Sequence, residues 1–506
     1  MLLIKRLFSL LLCLLLLAGC AAGPGTPSQG DASPQGQEDT ASPQNQTPQL
    51  PAPPEQTMEE RQAAFLSFLE EVNAQRRAIY ESGEPPRLDP SWTPDLTALD
   101  DDFTQEEMDR ILTERTADAV SAQEAREDSE TAFRLLKNCY GAYDYFGGDQ
   151  VFLPLQEAVL AALPEEGTVS PEELEKALAD ALSPVLVDGH FIVGATAMGD
   201  AHSRSMYHVP DLYFDNADGI DPDLVKPTID ESGRLRLCLA ALATEEEAES
   251  LPDALTIQGV SVSLKWARDT SFSRETQDAF SESTLAGSVP LLTSSAMFAS
   301  TDQQREQLER LAACGEEYAD APVLVLDLRG NGGGSDHYIN QWFAGYTGQA
   351  PARRIAWGIK YSAFNRYIYA ERMGYSAADL PDTSQWGNLR STPGQFTERE
   401  GLSLVLQNKG TASSGETAVQ NMRTLENTLF VGCCTSGCAL TPNNISFYLP
   451  HSGLKLYFGT GLSLTEDGEN RDGTGYLPDL WVPSLSAKMR VEDMIQYYGL
   501  TELFAP

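Results

Sequence analysis

The chain has 506 residues, 42% of them hydrophobic, enough apolar material for a substantial core and enough length for two or three domains. Its 74 acidic residues against 35 basic ones give a formal charge of -39, which argues against nucleic acid as a partner and against direct binding to anionic lipid headgroups. The eight cysteines hold no Cys-x-x-Cys pair and no zinc-like spacing, so neither a metal nor another cofactor is expected.

At the amino terminus Lys5 and Arg6 precede an apolar stretch over 7–17 that is short for a bilayer span and ends in Leu17-Ala18-Gly19-Cys20. This resembles a bacterial lipoprotein signal peptide over 1–20, which implies cleavage before Cys20 and a lipid on its sulfur. The competing reading is an uncleaved anchor, which has no need of small residues directly before a cysteine. Either way the body is expected at the extracytoplasmic face of the cell membrane, and on the first reading it is anchored there by lipid on Cys20. Residues 21–57 are rich in Pro, Gln, Ser and Thr and poor in large apolar side chains, the composition of a disordered tether.

Over 58–183 the apolar residues recur at helical spacing, as in Phe65, Phe68, Leu69 and Val72 and again in Phe133, Leu135, Leu136 and Tyr140. Ser170-Pro171-Glu172-Glu173 is a helix start with Pro in the first turn. The segment is expected to be a helical domain, and the acidic runs over 106–130 and, further along the chain, 245–249 are read as solvated helical faces.

In 184–288, Val185-Leu-Val-Asp188-Gly189-His190-Phe-Ile-Val193 places Asp-Gly between two apolar runs, which predicts a β-hairpin with His190 at the start of the returning strand. Strand-like runs at Leu235-Arg-Leu-Cys-Leu239 and Val260-Ser-Val-Ser-Leu264 then suggest a smaller inserted β-rich or α+β unit. It shows no clear loop for capturing a free peptide carboxylate.

From 289 to 488 strands and helices alternate as an α/β core requires, with strands at 289–292, 323–327, 402–407 and 429–432 and helices at 303–313, 338–346 and from Gly415. Shorter strands at 446–449 and 454–458 are expected to extend the same sheet, and 349–400 reads as a long polar excursion. Residues 489–506 read as a terminal helix and tail. Among the cysteines, Cys433, Cys434 and Cys438 lie close together, read as small buried residues after a strand or one short-range disulfide.

Two stretches carry chemistry. Val323-Leu-Val-Leu-Asp327-Leu-Arg329-Gly330-Asn331-Gly332-Gly333-Gly334 is an apolar strand ending in glycines, whose bare N–H groups can face a substrate oxygen without a Cβ in the way. About eighty residues on, Thr411-Ala-Ser413-Ser414-Gly415-Glu416 leads into a helix. With Val431-Gly432 and Gly475-Tyr-Leu-Pro478-Asp479, these motifs in this order resemble the tail-specific, or C-terminal processing, serine peptidase family, which includes the tricorn protease core. The likeness covers about 185–485.

The resemblance implies a ClpP/crotonase-like spiral of strands and helices and an endopeptidase acting on unstructured polypeptides through an acyl-enzyme. It implies Ser413 as nucleophile, and an oxyanion hole from the N–H of Ser414 with that of Gly332 or Gly333. On residue type alone, Ser413 is equally a helix cap. The Ser/Lys branch takes its base from a lysine in the turn after the Val-Gly strand, where this chain has Cys438. Lys409 is a fallback. The tricorn-like branch draws its base from a histidine that corresponds to His190, and its third member corresponds to Asp472, with Glu469 as substitute. Asp472 is also read as an Asp-Gly turn.

Three rivals remain: a catalytically degenerate relative binding peptides or cell-wall material, a solute-binding lipoprotein, and a phosphate-binding glycine loop. The second requires two similar lobes, and no duplication is evident. The third lacks Gly-Lys-Ser/Thr and a full Gly-x-Gly-x-x-Gly, since Ser335 stands in the last place.

Overall fold

The computed structural model describes residues 50, 55–97, 99, 103–269 and 277–505. The signal peptide, Cys20 and nearly all of the tether lie outside the described residues. No described helix is long and apolar enough to cross a membrane.

The continuous apolar runs become a six-stranded sheet in the order Phe280–Leu285, Val289–Ser294, Val323–Asp327, Leu402–Gln407, Thr428–Gly432, Leu480–Trp481. The first pair is antiparallel and the remaining pairs are parallel. Parallel strands are covered on both faces, and alternate side chains here enter two different cores. Val323, Val325, Leu402, Leu404, Leu429 and Val431 face one, while Leu324, Leu326, Val405 and Phe430 face the other. Because the parallel strands run the same way, the glycine turn after Asp327 and the loop after Gln407 emerge side by side. The candidate site is built at that end of the sheet.

The helical segment divides between two cores. Its first helix, Met58–Glu81, starts at a capping box of Thr57 and Glu60 and packs Phe65, Leu69 and Val72 against the main sheet. Arg76 on this helix donates to the Thr428 carbonyl and pairs with Asp479, whose carboxylate also accepts the Phe430 N–H at 2.7 Å. The helices Gln105–Ile111, Ala122–Cys139, Asp149–Ala162 and Pro171–Leu182 instead share a core with Phe191, Phe447 and Phe458. Pro171 stands at the first turn behind a Ser170/Glu173 capping box, as the sequence indicates.

Two expectations are corrected. The strands Asn444–Tyr448 and Lys455–Gly459 leave the main sheet for a separate four-stranded one with Ile192–Val193 and Thr196–Ala197. Alternation fixes which face of a strand is buried but not which sheet it joins. Within the polar excursion, Ile355–Tyr361 and Gln385–Thr392 form an antiparallel sheet with Gly461–Leu464 from further along the chain, beside the helix Ala363–Glu371. Finally, the hairpin turn is not at Asp188-Gly189 but between Val193 and Thr196.

Gly189 lacks the positive φ that an Asp-Gly hairpin turn needs. Its smallness serves a close approach instead, since a Cβ there would lie 2.4 Å from the Gly437 carbonyl oxygen and 3.1 Å from Cβ of Cys438. The inserted β-rich unit is a four-stranded antiparallel sheet, Ala267–Arg268, Ser205–Phe214, Leu235–Ala243 and Val225–Ile229. The hairpin Ala254–Ile257 and Val260–Ser263 lies over a small apolar core that the two share.

Candidate active site

Ser413 stands where the loop after Leu402–Gln407 enters the helix Ser414–Arg423, with φ 52° and ψ -119°. A positive φ is strained for a residue with a Cβ and persists only where its surroundings enforce it. The same strand-turn-helix strain aims a nucleophilic serine outward in other hydrolases. Ser413 holds the N-cap position of this helix, but its side chain makes no capping hydrogen bond. Ser414 is buried, and its hydroxyl donates to the Gly334 carbonyl at 2.9 Å, tying the helix to the glycine turn.

The glycine turn is held from several sides. Asn331 donates its side-chain amide to Ser294 Oγ at 2.9 Å, and its carbonyl accepts the Ala412 N–H at 2.9 Å. The Met297 N–H donates to the Gly333 carbonyl at 2.8 Å. Gly333, at φ 101°, lies so close to the serine that a Cβ on it would fall 2.6 Å from Ser413 Cβ.

Of the two glycine amides expected in an oxyanion hole, that of Gly333 donates to Asn331 Oδ1 at 3.0 Å. Gly332 is exposed, and neither its amide nor that of Ser414 has a hydrogen-bond partner among the described residues. The available pair is therefore Gly332 and Ser414. The first N–H groups of a helix lack intrahelical partners and favour negative charge, as an oxyanion site requires.

His190 follows the Asp188-Gly189 turn and precedes the strand Ile192–Val193. Its backbone N–H donates to Asp188 Oδ1 at 2.9 Å, and its Nδ1 is buried with no hydrogen-bond partner. Burial holds the imidazole below its ordinary pKa, opposed by the charges of Asp188 and Asp336. Ser413 and His190 are not hydrogen-bonded to one another among the described residues. They are linked through the loop after Gly432: Gly189 packs on Gly437 and Cys438, whose amides donate to Glu416 on the serine helix at 2.9 and 2.7 Å.

Asp472 does not grip the imidazole. Its Oδ1 accepts the amides of Ala439 and Leu440 at 2.8 and 3.1 Å, and its Oδ2 accepts that of Gly189 at 2.9 Å. Burial, then the neighbouring charge of Asp188, pushes this carboxyl up to about 8. Lys409 donates to the carbonyls of Ser436 and Gly473, both at 3.1 Å, so it acts here as a clamp between loops. Glu469 donates its backbone N–H to Asp467 at 3.1 Å. Cys433, Cys434 and Cys438 are buried thiols, and no metal-binding group of three or more His, Cys, Asp or Glu occurs among the described residues.

Residue type alone did not single out Asp188 and Glu416 for their roles. Asp188, fully buried, accepts the Tyr140 hydroxyl at 2.7 Å and the Thr441 hydroxyl at 2.8 Å. Glu416 is equally buried. Its signal was an acidic residue three places after Ser413, on what is otherwise a buried helix face.

Residues 288–482 match the model of peptidase family S41, in line with the tail-specific and C-terminal processing peptidases that the motifs resemble. The described residues form an α/β fold with helices and several sheets. No curated protein matches the chain. Among solved structures, a putative peptidase from Parabacteroides merdae ATCC 43184 is 14% identical, with 76% of this chain and 98% of that one covered and a TM-score of 0.41. The photosystem II D1 C-terminal processing protease is 15% identical, with 73% and 97% covered and a TM-score of 0.36. The tricorn protease is 12% identical, with 76% and 37% covered and a TM-score of 0.32.

Proposed function

We propose that the protein is a serine-type endopeptidase of the Ser/His kind that hydrolyses unstructured polypeptides, with Ser413 as nucleophile and His190 as base. The observation that carries this reading is Ser413 itself: a serine at φ 52° on a helix N-terminus, its side chain making no capping hydrogen bond, pressed against Gly333 and flanked by two unpartnered amides. His190 takes the Ser413 proton as Oγ adds to the scissile carbonyl, and the N–H groups of Gly332 and Ser414 receive the developing oxyanion. Collapse breaks the C–N bond as His190 returns the proton to the leaving amine. Water then hydrolyses the acyl-enzyme by the same steps in reverse order.

Parallel strands alternating with helices support a ClpP/crotonase-like spiral for the core. The leader sequence supports a lipid anchor on Cys20 and a place at the extracytoplasmic face of the membrane. A degenerate, peptide-binding relative is the second reading, favoured by the missing Ser413–His190 hydrogen bond and by Asp472 facing backbone amides rather than the ring. Cleavage of an unfolded polypeptide separates the two. The wild-type protein should cut it and Ser413→Ala should not, whereas equal cleavage by both, or none by the folded wild type, rejects the peptidase.

A further inference from the structure

We infer that Glu416 is a positioning residue of this site: with Asp472 and Asp188 it holds a strap, 437–441, that fixes the helix of Ser413 to the turn of His190. The strap follows the strand Thr428–Gly432 and runs between the two elements whose side chains must meet. Its hydrogen-bonding groups are taken in succession by three carboxylates from three parts of the chain. Glu416 Oε1 accepts the Thr435 hydroxyl at 2.5 Å and the Gly437 amide at 2.9 Å, and Oε2 accepts the Cys438 amide at 2.7 Å. Asp472 takes the next two amides, of Ala439 and Leu440, and reaches across to Gly189 with its other oxygen. Asp188 takes the Thr441 hydroxyl and the His190 amide.

The arrangement is costly, which is why closing a loop does not explain it. The three carboxyl groups are at most 3% exposed, and taking them out of water costs free energy that their amide and hydroxyl partners must offset. One acceptor or an apolar contact would close the same loop. Two carboxylates fix the register of four successive amides and a third takes the Thr441 hydroxyl, which together set the placement of the His190 turn against the serine helix. Burial raises the pKa of Glu416, while the Thr435 hydroxyl, the two strap amides and the charge of Lys409 favour its ionised form. Held to within a fraction of an ångström, such groups can set the rate of a proton transfer they never touch.

The peptidase reading is needed only for the second of two tests. In the first, hydrogen exchange is followed in Glu416→Gln and in Asp472→Asn, with Leu308→Ala as a comparably destabilised control in a core that holds none of the strap's carboxylates. Glu416→Gln should speed exchange at Gly189, which Glu416 does not touch, by about tenfold or more. Asp472→Asn should do the same at Gly437 and Cys438, and Leu308→Ala should change none of the three. If each variant quickens only the amides it contacts directly, the strap does not couple the two elements and the inference is wrong.

In the second test, labelling of Ser413 by a fluorophosphonate should slow by about tenfold or more in Glu416→Gln, while Leu308→Ala labels close to the wild-type rate. Labelling of Glu416→Gln at the wild-type rate also overturns the inference. A wild-type protein that does not label refutes the peptidase reading instead, and the exchange measurement still decides the role of Glu416.

Discussion

Gly333→Ala is the substitution whose effect follows most directly from the geometry. The added Cβ would sit 2.6 Å from Ser413 Cβ, 2.9 Å from the Ala412 carbonyl oxygen and 3.0 Å from the Ser414 nitrogen. Carbon atoms pack at about 3.5 Å or more, so the serine turn must retreat by about 0.9 Å. Its φ of 101° adds strain of about 1–2 kcal/mol, which a domain of this size survives. A displacement near 1 Å at a reacting group costs about 100-fold in rate, or about 2.7 kcal/mol of barrier.

Gly332→Ala is the matched comparison, because nothing lies within 4 Å of its Cβ and its φ is not positive. It should keep wild-type stability and lose less than about tenfold. The assay is the second-order rate of phosphonate labelling at Ser413, with thermal unfolding measured beside it. Gly333→Ala labelling within threefold of wild type would refute the placement of the oxyanion site against this turn.

Two predictions concern pH. Burial lowers the pKa of His190, so the imidazole stays neutral and able to accept a proton further into acid than an exposed one. The acid limb of kcat/KM should therefore have its midpoint below the ordinary value of about 6.5, and a midpoint at or above it contradicts the buried base. For Asp472 the folded value of about 8 lies above the roughly 3.9 of an unfolded aspartate, so between them the native state binds the extra proton. That contribution to stability is full below about 3.9 and is lost as pH rises towards about 8. Urea unfolding of Asp472→Asn should show a flatter fall of stability across this window than the wild type, whatever its absolute stability, and an equal slope would count against it.

Much of the core was legible because its signals are local and physical. The run Val323-Leu-Val-Leu is apolar at every position, as a strand covered on both faces requires, and all five residues of Val323–Asp327 are buried. Serine followed by proline and two glutamates announced the helix start at Ser170.

What was not legible depends on where distant pieces of chain meet. Asp188-Gly189 has the composition of a hairpin turn, but the glycine is there because Gly437 and Cys438 leave no room for a Cβ. The Asp472 carboxyl was expected to hold an imidazole, and only tertiary structure shows that backbone amides from residues 189, 439 and 440 occupy its oxygens. The stretch 349–400 read only as polar, and some of its polar side chains are satisfied by distant backbone. Buried Lys360 donates to the Lys137 carbonyl at 2.7 Å, and Arg354 donates to the Glu466 carbonyl at 2.9 Å.

The most direct test of the account is a fluorophosphonate adduct mapped by peptide mass. A modification confined to Ser413 in the folded wild-type chain, and slowed about 100-fold or more in His190→Ala, is the predicted result. A folded protein that takes up no label at Ser413, or one in which removing His190 leaves the rate unchanged, contradicts it.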